Sequence, residues 1–134
     1  MLTILTNSIQ SCVGAADNND GTYRIDLLDG TSRLATDTEV LEARRANAIQ
    51  QIKTLAGEKI LARYPLTKQL NMAAMATDLQ HRRIIGTFTQ TDEAIEVSLQ
   101  LAWGWILTVR AYSNELEAQA MSNPDLDIAV GWPE

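Results

Sequence analysis

The feature that most constrains this chain is a near-heptad apolar seam running through residues 91–120. Ile95, Leu99, Ala102, Ile106, Val109, Ser113, Leu116 and Ala120 follow one another at alternating spacings of four and three. Residues three and four apart share a helix face, so this spacing draws one stripe along many turns of helix. A second row, Val97, Leu101, Trp105 and Tyr112, widens it. A stripe of that length has to be covered by other helices. Most of the hydrophobic information in the sequence therefore concerns helix packing. The apolar fraction, 46% of 134 residues, is enough for a real core.

Charge narrows the function classes. The formal net charge is −6. Nucleic-acid affinity comes mostly from clustered Lys and Arg, so a DNA or RNA binder is not expected. The one basic cluster, His81-Arg82-Arg83, reads as a solvated helix end whose cations favour the C-terminal dipole. Cys12 is the sole cysteine, so the chain forms no internal disulfide. That fits a reducing compartment or a particle assembled inside a cell. The opening Met1–Thr6 lacks the basic region and long apolar run of a signal peptide. No stretch reaches the roughly 18–20 apolar residues of a membrane span.

Residues 1–36 read as β and turn. Met1–Thr6 is short and β-prone, and Gly14–Gly21 is polar and turn-rich. Tyr23, Ile25 and Leu27 alternate with Arg24 and Asp26, the period of a half-buried strand. Asp29-Gly30 then predicts a tight hairpin pairing Tyr23–Leu28 with Thr31–Ala35. A first long helix starts near Thr36–Glu39, where Thr36 and Glu39 have capping-box spacing and Asp37 is the other candidate cap, and runs to about Tyr64. Ile49, Ile52, Ala56, Ile60 and Tyr64 form its apolar face. Gly57 inside it predicts either a closely passing backbone or a bend. Pro65 opens a second helix to about Ile85, with Leu66, Leu70, Ala73 and Thr77 along one side and Met72, Met75 and Leu79 on an adjoining face. Gly86 stops it. Thr89 or Thr91 caps the third helix, which ends near Asn123-Pro124.

The residue types that carry chemistry are scattered. His81 is the only histidine and no nucleophile motif stands beside it, so it is expected exposed on the second helix. Asp17-Asn18-Asn19-Asp20-Gly21 has the look of a calcium loop. Aligning its glycine to the sixth position puts Ala16 first and Leu27 twelfth, where oxygen donors are required. One His and one Cys cannot build a structural zinc site. Trp103, Trp105 and Tyr112 lie on an apolar helix and read as core or helix interface. Trp103 stands about 100° from Ala102 on the helical wheel, so it leans off the seam and is an interface candidate.

Three segments carry a resemblance. They are Ile60–Asn71, containing Tyr64-Pro65-Leu66-Thr67-Lys68-Gln69-Leu70-Asn71; then Trp103-Gly104-Trp105-Ile106 with Val109-Arg110-Ala111-Tyr112-Ser113-Asn114; then the closing Trp132-Pro133. Together they resemble small proteins of tailed bacteriophages often encoded beside tail-fibre genes. Those share a YPxxKQxN helix junction, a Trp-Arg-Ser helix and often a tryptophan-proline end. In this chain Leu66-Thr67 stands where the pattern tends to carry an aromatic before Lys. The likeness covers roughly residues 40–134 and implies a role in the tail or its fibres, as a virion component or as an assembly factor.

The expected organisation is α+β: a β-hairpin region over 1–36, an antiparallel three-helix bundle over 37–122, and an extended tail over 123–134. The expected function is that of a bacteriophage tail structural or accessory protein associated with the tail fibre or baseplate. It is a virion protein assembled in the host cytoplasm and acting by protein–protein binding. The alternative is a tail-fibre assembly chaperone that does not stay in the virion. A small enzyme or inhibitor acting on host components is the rival class. No catalytic residue, cofactor or metal is expected. The partner is a tail-fibre or baseplate protein, with homo-oligomerisation possible and no nucleic acid or membrane. The expected partner-binding residues are Trp132 as anchor, Pro133 and Val130 beside it, Tyr23 and Ile25 on the hairpin, and Trp103 on the third helix. Extended segments of this kind add to sheet edges, and buried tryptophans are frequent hot spots.

Overall fold

The computed structural model describes residues 1–134. In order, the elements are α1 (Leu2–Ser8), β1 (Cys12–Asp17), β2 (Tyr23–Leu27), β3 (Ser32–Leu34), α2 (Asp37–Arg63), α3 (Leu66–Ile85) and α4 (Gln90–Ser122). A three-stranded antiparallel sheet and four helices, 65% of the chain helical, make this an α+β protein. The chain divides into two compact units, Met1–Ile52 with Leu116–Ile128, and Lys53–Glu115 with Ala129–Glu134. The long helices α2 and α4 each contribute to both.

In the first unit the sheet order is β1-β2-β3. The predicted hairpin is present: Arg24, Ile25 and Asp26 face Leu34, Arg33 and Ser32. Gly30 turns it at φ +85°, a conformation that favours glycine. Ile25 is fully buried at its centre. Two expectations are corrected. Met1–Thr6 is not a strand: Met1 is the N-cap of α1 and Leu2–Thr6 lie in it, with Leu5 fully buried and the Thr6 hydroxyl donating to the Leu2 carbonyl at 3.0 Å. Local β-propensity is weaker than the burial of one apolar residue on a helix of about two turns. The stretch from Gly14 is not all turn: β1 runs through it and pairs with β2, with a register irregularity between Cys12 and Gly14. Small residues hide this strand from a pattern search. A Cβ on Gly14 would come within 3.4 Å of an Asp26 carboxylate oxygen on the neighbouring strand.

The predicted capping box joins hairpin to helix. The Thr36 N–H donates to Glu39 Oε1 at 2.9 Å and the Glu39 N–H donates to the Thr36 hydroxyl at 3.2 Å. Arg33 on β3 grips the same carboxylate with two nitrogens, at 2.7 and 2.9 Å. Farther along, Arg44 of α2 pairs with Asp125.

In the second unit α3 and α4 form a helical hairpin. Gly86 ends α3 in the left-handed region at φ +79°, its N–H bonded to the Arg82 carbonyl. The α4 start repeats the chemistry of α2. The Thr89 N–H donates to Asp92 Oδ2 at 2.9 Å, and the Asp92 N–H returns to the Thr89 hydroxyl at 3.2 Å. Arg82 bonds the other Asp92 oxygen at 2.8 Å. Met72, Leu79, Leu99 and Ala102 form the hairpin core, with Tyr64, Phe88, Ile95 and Trp103 packed against it.

The seam of α4 is buried from Leu99 to Ala120, as its spacing predicts. The widening row holds only in part. Trp105 and Tyr112 are half-buried, while Val97 and Leu101 face solvent. On α3 the two apolar faces have different fates. The Leu66-Leu70-Ala73-Thr77 side is exposed, and the buried residues are Met72 and Leu79 of the adjoining face. Periodicity finds both apolar faces of α3 but cannot say which one α4 covers. Around Gly57 the structure is open, with nothing within 4 Å of an added Cβ, so no backbone passes close.

Candidate functional site

The C-terminal segment and the three long helices meet in an aromatic and cationic cluster within the second unit. Tyr64, the residue after α2, packs its ring against Trp105 of α4 at 5.7 Å between centroids. The Arg63 guanidinium stacks 4.5 Å above the Trp105 ring, and the Lys68 ammonium lies 5.0 Å from that of Tyr64. The Gln69 amide nitrogen donates to the Tyr64 carbonyl at 2.7 Å. It thereby satisfies one of the carbonyls that the end of α2 leaves without an intrahelical donor.

About two turns along α4 from Trp105, Tyr112 meets the tail. Its ring stands edge-on to Trp132 at 5.1 Å, and its hydroxyl donates to the Val130 carbonyl at 2.8 Å. The Lys59 ammonium lies 5.7 Å from the Trp132 ring. The Trp105 indole N–H donates to the Glu134 backbone oxygen at 3.0 Å. Gly131 allows this closeness. It adopts φ +82°, and a Cβ there would fall 2.3 Å from the Tyr112 hydroxyl. The tail is thus held by two indoles, a phenol and a backbone only glycine can supply.

This changes the reading of the anchor. Trp132 is 9% exposed, covered by its own chain, and is not displayed to a partner. Pro133 is half-buried, and Val130 is the outward residue of the three. A terminal tryptophan reads from sequence as anchor or loose end alike. The missed signal is Tyr112, eighteen residues before Val130, with a glycine beside the indole. On the hairpin, Ile25 is core and cannot touch a partner, while Tyr23 is half-buried. Both belong to the first unit, while Trp103, Val130, Trp132 and Pro133 belong to the second. Trp103 is half-buried, and it lines a groove of about 310 Å³ with Ala76, Leu79, Leu99, Gln100 and Glu96.

Among charged groups, Asp92 is the buried one. The Thr89 N–H, with Arg82 adding to it, holds its carboxyl below the usual range against the opposing effect of burial. Its bonds make it a helix cap. Asp17 and Asp20 accept the N–H groups of Asn19 and Thr22, closing the acidic loop on itself. His81 is exposed on α3, and the Cys12 thiol donates to the Gly14 carbonyl. No three His, Cys, Asp or Glu side chains are grouped to hold a metal ion, and no helix is long and apolar enough to cross a membrane. Compared with family models, curated proteins and solved structures, the chain has no match.

Proposed function

We propose that this protein is a tail accessory protein of a tailed bacteriophage, associated with the tail fibre or baseplate and acting by binding other proteins. The carrying observation is convergence. The three segments on which the resemblance rests are far apart in sequence, yet Tyr64, Lys68 and Gln69 meet at Trp105, Tyr112 meets Trp132, and the tail ties the two groups together through the Trp105–Glu134 hydrogen bond. A shared pattern whose members touch is what a common packing solution produces. The pattern then reads as scaffold, and partner contact falls to outward groups. These include Val130 on the tail and the open edge of β3, which pairs only with β2.

The scaffold we propose is an antiparallel three-helix bundle over residues 37–122. The α3–α4 core and the packing of Tyr64 against it support this. In this reading the protein is assembled in the host cytoplasm and carried in the virion tail.

Mass spectrometry of purified virions tests the placement. Stoichiometric presence supports a structural role, and absence from virions with capture by the fibre protein in infected cells assigns it to assembly instead. Failure to capture any fibre or baseplate protein overturns both. For the rival enzyme class the test is His81→Ala: loss of function in a folded variant would overturn the binding reading.

A further inference from the structure

The middle of the α3–α4 hairpin carries no charge on any face. Gln69–Thr77 of α3 and Val97–Val109 of α4 run side by side without one Asp, Glu, Lys or Arg. At the chain's 21% charged content, about five would be expected in those 22 residues. Solvated helix faces carry charges, and the centres of protein interfaces are depleted of them.

The exposed apolar row of α3 lies in this belt. Leu66, Leu70, Ala73, Thr77, Gln80 and Ile84 are spaced four, three, four, three, four. Leu66 is 62% exposed, Leu70 61% and Ile84 78%. At 100° per residue the row is turned about 120° from Met72 and Leu79, which face α4. Trp103 of α4 lines the groove that runs beside Ala76 on the same side, with Gln100 and Glu96, and exposed Leu107 follows Trp103 one turn on.

We propose that this face is covered by a second copy of the chain, hairpin on hairpin and antiparallel. The spacing of the α3 row is symmetric about residue 75, with large Leu66 and Ile84 at its ends, small Ala73 and Thr77 at its middle, and Leu70 mirrored by Gln80 between them. Antiparallel packing sets Ala73 against the second copy's Thr77 and Leu66 against the second copy's Ile84. The small pair meets at the crossing, where the helices come closest. The same two-fold brings exposed Glu93, near the hairpin tip, towards the second copy's Arg110 at the open end. Residue and partner patch are then the same surface, as two-fold symmetry requires. The large exposed side chains of this face supply on the order of 100 Å² each, roughly 600 Å² with their small neighbours, before any polar rim. A standard interface needs about 800 Å² per partner, so a rim of ordinary size completes a concentration-dependent dimer. The proposal stands independently of the phage reading.

Sedimentation equilibrium of the full chain over a wide concentration range is the test. The expected mass is twice 14.8 kDa at high concentration, falling towards the monomer on dilution. Leu70→Glu and Thr77→Arg, both at exposed positions, should each weaken dimerisation at least tenfold with unchanged helical circular dichroism. Leu101→Glu, on another exposed flank, should leave the dimer intact. A wild-type monomer at every concentration overturns the proposal, and so does a dimer indifferent to both α3 variants. If either variant loses helicity, the other decides.

Discussion

Gly131 shows how one backbone angle can decide what a neighbouring side chain does. Its positive φ and its contact with the Tyr112 hydroxyl turn Trp132 inward. Gly131→Ala should cost about 1–2 kcal/mol for the left-handed backbone alone, before the clash with Tyr112 is added. A lowered thermal midpoint checks this, and an unchanged midpoint would mean the tail does not depend on this glycine. Glu39 makes a second prediction. Arg33, with the Thr36 N–H, draws its carboxyl from 4.5 to about 2. A depressed acid stabilises the fold above its unfolded pKa, and that contribution is lost as pH falls from about 4.5 through about 2. Glu39→Gln should therefore lower the thermal midpoint near neutral pH, with the gap to wild type closing as the pH approaches 2. The Thr36–Glu39 box was legible because capping needs only residue types at a fixed spacing. Trp132 was not, because its partners come from α2 and α4.

At the scale of elements, both long helices begin with the same device: a threonine, an acid three residues on, and an arginine holding that acid. Thr36→Ala and Thr89→Ala should each destabilise the chain by about 1 kcal/mol. The larger effect is expected at Thr89, because its partner Asp92 is the more buried acid. Absent losses in urea titrations would show that the boxes are incidental, and equal losses that burial of the acid does not set their size. The α4 seam was readable because a single period persisted over many turns. The strand β1 was not, since Gly14, Ala15 and Ala16 leave no alternation to detect. The helix α1 was misread because a short β-prone run says nothing about the burial of Leu5. For α3, two apolar faces were written into the sequence, and only the position of α4 shows which of them is covered.

For the whole molecule, the tail has become structure. Sequence reasoning expects that deleting residues 125–134 leaves helical content intact and weakens partner binding. The buried indole changes that expectation: Trp132→Ala should cost about 3–5 kcal/mol, as large aromatic truncations do in cores. Chemical denaturation followed by circular dichroism measures it, and a loss under 1 kcal/mol would return the tail to the role of a free docking arm. Self-association adds a further expectation. Binding that favours the folded state raises its apparent stability by mass action, so the thermal midpoint of the wild type should climb with protein concentration, and that of Leu70→Glu should not.

The three tryptophans stand in three different surroundings: Trp132 enclosed, Trp105 half-buried under a guanidinium, and Trp103 half-buried beside a groove. The chain consequently carries its own optical reporters. Emission colour and quencher access should differ among the indoles, so single Trp→Phe replacements would assign each signal. A ligand landing on the groove would shield Trp103 first, whereas release of the tail would redden Trp132, and the two events could be told apart without attaching any dye.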